Sequence, residues 1–156
     1  MKVWASVLVI AILALGVAAC ADQETPEQRF ADMEKKAAGG DVRSCYILGL
    51  MLEQGFGAPR DECQAAKFYR KAAEKGQVEA QYRLGSLYYH GRGVKRDMKQ
   101  AAQWYKKAAE QGYTQAQAAL GNMYLLGQGV PQDSSRGAYW LKQSLKLKRQ
   151  VNSTQD

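Results

Sequence analysis

The sequence predicts an all-α solenoid of three antiparallel helix pairs, preceded by an N-terminal capping helix. The first observation behind this prediction is a gapless repeat of 36 residues between positions 41 and 148, the signature of stacked helical units. The second is that each unit holds two runs of apolar and small residues at helical spacing. The third is a content of 15 Gly against 3 Pro, which fits helices separated by glycine turns. The positions that recur 36 and 72 residues later include Leu48, Gly49, Gly55, Gly57, Asp61 and Ala66.

The first twenty residues, MKVWASVLVIAILALGVAAC, are predicted to be an export signal. Lys2 gives a short positive start, residues 3–17 carry no charge, and small residues precede Cys20. The final VAAC resembles a lipobox, the signal that precedes the acylated cysteine of bacterial lipoproteins, and this resemblance implies lipid attachment at Cys20. Two alternatives stay open: plain cleavage after Ala19, and an uncleaved anchor, since the apolar run approaches the length of a spanning helix.

The rest of the chain divides by how well each part matches the repeat. Residues before Asp41 match only the later half of a unit, which predicts a lone capping helix. The last unit has Lys148 where the others have glycine, and Lys142, Lys146 and Arg149 fall on one helix face, which predicts a polar outer cap. The predicted boundaries are 1–19 for the signal peptide, 20–25 for a short tether, 26–40 for the capping helix, 41–76, 77–112 and 113–148 for the three units, and 149–156 for a tail.

Each unit is predicted to consist of a helix A followed by a helix B. In the second unit these are VEAQYRLGSLYYH and DMKQAAQWYKKAAEQG. Asp61 with Gln64, and Asp97 with Gln100, predict capping boxes at the start of helix B. Gly85 lies in the middle of helix A, where glycine costs about 1 kcal/mol relative to alanine. Its repetition in all units predicts close approach of the neighbouring helix, with that helix's alanines across from it.

The stretch AQYRLGSLYYHGRGVKRDMKQAAQWYKKAAEQG, with near copies on either side, resembles the Sel-one-like repeat (SLR), a relative of the tetratricopeptide repeat. The resemblance spans about 41–148 and implies a right-handed solenoid whose A helices line a concave face. It also implies a protein-interaction scaffold rather than an enzyme, of the envelope lipoprotein type. Ala21 after the lipobox cysteine favours, by resemblance, the outer membrane with the domain facing the periplasm; secretion and inner-membrane anchoring are the alternatives.

The alternative function is a β-lactamase-like or cell-wall-acting hydrolase, because a cysteine-rich branch of SLR proteins has been described in such terms. That branch carries a disulfide in most repeats, whereas this chain has only Cys45 and Cys63 after Cys20. If the helices fold back about Gly57, the two cysteines are offset by about 9 Å along the helix axis. This offset favours free thiols and leaves a Cys45–Cys63 disulfide as the lesser alternative.

No catalytic residue, metal site or cofactor is predicted. His90 is the only histidine, and Gln54 and Leu126 take its place in the other units, so the fold does not need an imidazole there. A lone histidine provides neither a nucleophile–base pair nor a cluster of metal ligands. The Gly-x-Gly around Arg92 ends a helix and precedes an Asp cap, whereas a phosphate-binding loop would follow a strand.

Partner contacts are predicted where the three units differ within the same frame, on helix A and in the turn after it. The recurring tyrosines are assigned to the core, and exposed variation without function is the alternative for the variable positions. The expected partner is an unidentified envelope protein or peptide. The candidate contacts are Arg43, Ile47, Leu50, Glu79, Arg83, Ser86, His90, Arg92 and Asn122.

The chain is basic, with a formal net charge of +7 and a pI of about 9.3. An exported protein meets little nucleic acid, so no nucleic-acid partner is expected. Weak attraction to anionic lipid headgroups is the functional interpretation of the charge, and solubility alone is the alternative.

Overall fold

The computed structural model describes residues 24–152, so the predicted signal peptide, Cys20 and the last four residues of the tail lie outside it. Within this range the chain forms seven α-helices and no strand. None of these helices combines the length and the apolar character needed to cross a membrane. The helices are α1 (Pro26–Ala38), α2 (Val42–Gln54), α3 (Glu62–Glu74), α4 (Val78–His90), α5 (Met98–Glu110), α6 (Thr114–Leu126) and α7 (Ser134–Asn152).

Each helix packs mainly on the helices that precede and follow it in the chain, which confirms the predicted all-α solenoid. Helices α2, α4 and α6 are the A helices of the three units, and α3, α5 and α7 are the B helices. Helix α7 is 19 residues long, against 13 for α3 and α5. It continues past the position of Gly76 and Gly112, where Lys148 stands, and enters the segment predicted to be a tail.

The glycine turn that follows each helix A packs against the helix that precedes that helix A in the chain. The first glycine of each turn ends helix A in the left-handed region, with φ of 72° at Gly91. The second glycine lies against the first residue of the preceding helix B: a Cβ on Gly93 would overlap the backbone of Glu62, and one on Gly57 would overlap that of Pro26. Pro26 makes with Gly57 the contact that Glu62 makes with Gly93. Helix α1 therefore packs ahead of the first unit in the way that a helix B would.

The predicted capping boxes at the B helices form only in half. The carboxylates of Asp61 and Asp97 accept the backbone N–H of Gln64 and Gln100, as expected for N-caps. The backbone N–H of Asp61, however, is donated to the Leu52 carbonyl at 3.0 Å, and that of Asp97 goes equally to helix α4. The backbone N–H of each cap residue is therefore already used, and the side chains of Gln64 and Gln100 cannot accept it. A full capping box does form at α1, between Thr25 and Gln28.

The predicted close approach at the mid-helix glycines is present, but a tyrosine ring makes it in units one and two, and Leu141 makes it at Gly121, rather than an alanine side chain. A Cβ on Gly85 would lie 2.8 Å from Cδ1 of Tyr105, and one on Gly49 would lie 2.5 Å from the ring of Tyr69. Tyr69 is fully buried and Tyr105 nearly so. The missing side chain thus makes room for a large buried ring from helix B, which adds apolar burial that offsets the poor helix propensity of glycine.

A buried glutamine links each later unit to the one before it. The Nε2 of Gln81 donates to the Ala73 carbonyl at 3.1 Å, and Gln117 makes the same bond to Ala109 at 3.2 Å. These bonds give a second donor to carbonyls at the end of helix B, each of which also accepts the N–H of the glycine that follows the helix. In the first unit Cys45 takes this position, which explains why that cysteine is buried.

Candidate functional site

The surface formed by the A helices α2, α4 and α6, here called the helix-A face, carries a cluster of half-buried tyrosines. The rings of Tyr82 and Tyr113 are 5.1 Å apart between centroids, and Tyr46 lies 6.0 Å from Tyr69 behind it. Burial raises the pKa of the Tyr113 hydroxyl, and the nearby Tyr46 raises it further. Arg83 lies beside Tyr46, so a cationic group stands among the aromatic side chains.

Glu53 is the polar centre of this face, although the 36-residue repeat pattern does not point to it. Its side chain is only 11% exposed, and its Oε1 lies 3.2 Å from Nη2 of Arg92. Its Oε2 accepts a hydrogen bond of 2.7 Å from the Tyr69 hydroxyl and lies 3.7 Å from Nη1 of Arg83. Arg92 also lies 3.6 Å from Glu62. A charge-assisted network of this kind holds units one and two together.

The middle residue of the Gly-x-Gly turn therefore has a role within the fold. Arg92 reaches back 39 residues to Glu53, and Gln128 accepts a 2.9 Å hydrogen bond from the hydroxyl of Tyr89, which is also 39 residues earlier. The pair changes from ionic to neutral between units, but the geometry is kept. The sequence signal for this pairing is a coordinated change at two positions 39 residues apart. A comparison of residues 36 apart does not reveal it.

The predicted partner contacts fall into two groups by exposure. Arg43, His90 and Asn122 are exposed, and the remaining candidates are half-buried. Leu50 packs against the core cluster of the first two units, so part of its side chain is buried in the core and is not accessible to a partner. Arg83 and Arg92 are bonded within the chain, although their side chains keep 41% and 38% exposure. Whether these residues bind a partner stays a prediction; those in an intermediate state of burial are Ile47, Leu50, Glu79, Arg83, Ser86 and Arg92.

A small cleft of about 190 Å³ opens on the helix-A face at the level of the second and third units. The floor is apolar, from Met123, Ala119 and the Tyr105 ring, and the rim is polar. The imidazole of His90 stands edge-on to Tyr89, with 5.0 Å between ring centroids. The size and lining suit one side chain of a partner; the rim residues are His90, Asn122 and Gln128.

A larger cleft of about 750 Å³ lies on the opposite side, between the B helices α3 and α5. Both of its arginines are bonded within the chain: Arg70 Nη2 donates to the Tyr88 hydroxyl at 2.6 Å, and Arg96 Nε donates to the Tyr89 carbonyl. Asp97, also in its wall, caps α5. We therefore place the candidate site on the helix-A face, where aromatic and cationic groups remain accessible.

Both cysteines of the first unit are free thiols: Cys45 is buried and Cys63 is exposed. Burial raises the pKa of the Cys45 thiol, which holds it in the protonated form. Within residues 24–152 no three His, Cys, Asp or Glu side chains come together in a way that could hold a metal ion.

The buried tyrosine of the second unit gives a pH-dependent prediction. Burial raises the pKa of Tyr105 to about 12, so the folded protein keeps this proton to a higher pH than the unfolded chain. The free energy of unfolding should fall by about 1.4 kcal/mol for each pH unit between 10 and 12 from this residue alone. Urea unfolding of the wild type and of Tyr105→Phe across this range isolates the effect, because other titrations are common to both. Equal pH slopes for the two proteins would contradict it.

The chain is similar to one protein family and to several solved structures. The model of the Sel1 repeat family matches residues 42–77, 78–113 and 114–148. A protective antigen of uropathogenic Escherichia coli strains, whose crystal structure displays an SLR fold, is 36% identical with a TM-score of 0.72. That match covers 74% of this chain and 25% of the antigen, so this chain spans about a quarter of its length. A Sel1 repeat protein from Oxalobacter formigenes is also 36% identical, with a TM-score of 0.70 over 74% of this chain and 88% of that one.

Helicobacter pylori cysteine-rich protein B shares the fold at 24% identity, with a TM-score of 0.60 over 79% of this chain and 91% of that protein. No curated protein matches the chain.

Proposed function

The chain belongs to the Sel1 repeat family, and from this membership we propose that it is a non-catalytic adaptor that holds a partner protein or peptide on its helix-A face. Sel1 repeat proteins are in general protein-interaction scaffolds. The observation that supports this face is the accessible guanidinium of Arg83 among half-buried tyrosines, beside a cleft sized for one side chain. Arginine and tyrosine, together with tryptophan, are enriched among energetically dominant interface residues.

The spacing on α4 suggests what such a partner would present. Arg83 and His90 are seven residues apart on one helix face, or about 10 Å along the axis. A peptide in the polyproline II conformation rises about 3.1 Å per residue with three residues per turn, so it covers this distance in about three residues and returns its side chain to the same side. We therefore propose a peptide segment with an acidic side chain at Arg83 and an apolar or aromatic side chain three residues along, in the cleft lined by Met123 and Asn122.

The membrane placement is part of the same proposal. A diacylglyceryl group on Cys20 would anchor the chain in the outer membrane, on the periplasmic side. The tether between Cys20 and α1 is short: five extended residues reach about 17 Å. A solenoid held this closely would present its partner at the membrane surface. The support for this placement is the signal-like sequence before Cys20 and the start of α1 at Pro26.

The hydrolase alternative lacks a comparable observation. The Ser44 hydroxyl is buried and bonded to the α2 cap residue Asp41, and Ser144 is buried and donates to the Leu141 carbonyl. Neither hydroxyl is placed as a nucleophile beside a base. Nitrocefin turnover by the purified chain would favour the hydrolase over the adaptor.

The adaptor proposal is tested by affinity capture from detergent-solubilised envelope, with mass spectrometry of the captured proteins. Wild type and Arg70→Glu, which carries the same charge change on a B helix, should recover the same partner. Arg83→Glu should reduce its recovery by about tenfold or more, because a central arginine contact is typically worth over 1.4 kcal/mol. Unchanged circular dichroism would exclude unfolding as the cause, and equal recovery by both variants would refute the proposed face.

A further inference from the structure

The outer side of α7 is unlike the same side of the other B helices. On α3 and α5 the next unit covers this side, and Ala73 and Ala109 are only 2% and 1% exposed. On α7 the corresponding residue is Leu145, which is 58% exposed. Tyr139, at a position that is exposed on every B helix, is 54% exposed. We call this surface the α7 outer face; its described residues are Ala138, Tyr139, Lys142, Leu145 and Lys146.

The charges of this face are also unbalanced. On α5, Lys106 and Glu110 form an i,i+4 ion pair at 3.7 Å. The residues at the same two positions of α7 are Lys142 and Lys146, a like-charge pair that destabilises an isolated helix. Helix α7 contains no acidic residue, and its sequence has five basic ones: Arg136, Lys142, Lys146, Lys148 and Arg149. Of these, Arg136 is ion-paired with Asp133 at 3.2 Å. An anionic partner would relieve this repulsion.

We propose that the α7 outer face binds the surface of an anionic lipid bilayer. Lysines spaced along one stripe can reach lipid phosphates while Tyr139 and Leu145 enter the headgroup boundary, which is the arrangement of interfacial amphipathic helices. A second copy of the chain is disfavoured as the occupant, because its α7 would bring the same positive charges to the contact. An acidic protein helix is the competing occupant that the experiment must exclude.

This inference rests on the membrane placement proposed above and refines it. The lipid on Cys20 would hold the α1 end of the solenoid, and α7 would hold the opposite end. The helix-A face, which neither of these contacts uses, would remain available to the partner.

The test is vesicle co-flotation of a chain that begins at Glu24, which lacks the signal segment and the lipid. The seven helices and the helix–helix contacts that the structure describes lie within residues 24–152, so this chain retains them. It should float with vesicles of phosphatidylcholine mixed with anionic phosphatidylglycerol, and not with phosphatidylcholine alone. Lys146→Glu restores the residue type of Glu74 and Glu110, so it should keep or raise the melting temperature. It should nevertheless weaken vesicle binding by about tenfold or more.

Two further variants decide which surface is responsible. Leu145→Ala restores the alanine of the other units and should weaken binding by about threefold, since part of an exposed leucine enters the interface. Lys67→Glu changes the net charge by the same amount as Lys146→Glu but lies on α3, and should leave binding nearly unchanged. No flotation, equal flotation with neutral vesicles, or an equal loss in Lys67→Glu would each overturn the proposal. Arg83→Glu should bind vesicles normally, which separates this outcome from a failure of the adaptor proposal.

Discussion

Replacement of Gly93 by alanine should destabilise the protein by about 4 kcal/mol or more, and Gly112→Ala by about 1 kcal/mol. Both glycines have positive φ, 64° at Gly93 and 87° at Gly112, so an L-residue is strained at either position. They differ in what surrounds them. A Cβ on Gly112 would meet nothing within 4 Å, whereas one on Gly93 would overlap the carbonyl group of Glu62 and the next amide nitrogen.

The overlap at Gly93 cannot be relieved by a side-chain rotation, because the obstacle is the backbone at the start of α3. Either the turn after α4 moves away from α3 or the first turn of α3 unwinds. In both cases the bonds between Arg92 and Glu53, and between Arg92 and Glu62, are pulled apart. The substitution should therefore disrupt the junction between two units, not one turn.

Urea unfolding followed by circular dichroism measures both variants. The comparison with Gly112→Ala removes the shared cost of positive φ and leaves the cost of the backbone contact. Equal losses in the two variants would show that the contact between Gly93 and α3 contributes little, and that the second glycine of the turn is kept only for its φ angle.

Much of this fold could be predicted because the sequence repeats. A period of 36 residues identifies the helix pairs, and Gly57, Gly93 and Gly129 are each recognisable as turn residues from the alignment of the units. What could not be predicted is the neighbour of each glycine. Glu62 lies 31 residues before Gly93, and their contact depends on how far one helix pair rotates relative to the next. A one-dimensional pattern does not contain that rotation.

The candidate site shows the same limit. Arg83 and Arg92 were predicted to be partner contacts because they vary between units in an otherwise fixed frame. The structure shows that both also pair with Glu53. Variation at a fixed position can therefore reflect a changed internal pair, as in the replacement of Arg92 and Glu53 by Gln128 and Tyr89. Identification of the pair requires knowledge of which turn meets which helix.

The mid-helix glycine gives a second large effect. Gly85→Val should cost about 3 kcal/mol or more, because the side chain would be driven into a core that has no space for it. The nearest atoms are Cδ1 and Cε1 of Tyr105, at 2.8 and 2.9 Å from an added Cβ, and the Ala101 carbonyl oxygen at 3.3 Å. Tyr105 is 5% exposed and packed in the core between units two and three, so its ring cannot turn out to solvent without loss of that burial. The melting temperature should fall by about 8 °C or more, and a shift under about 2 °C would contradict close packing.

A sharper test of the same contact is whether Gly85→Ala stabilises or destabilises the protein with and without the Tyr105 ring. Alanine is a better helix former than glycine by about 1 kcal/mol, so Gly85→Ala would stabilise α4 if nothing lay against it. In the wild type the Tyr105 ring occupies that space, and Gly85→Ala should destabilise the protein. In a Tyr105→Ala background the ring is gone, and the same change should stabilise it or be neutral. A coupling free energy above about 1 kcal/mol in this double-mutant cycle would assign the cost to the ring. Additive effects would mean that α4 requires glycine for a reason other than Tyr105, and the Ala101 carbonyl would then be the remaining candidate.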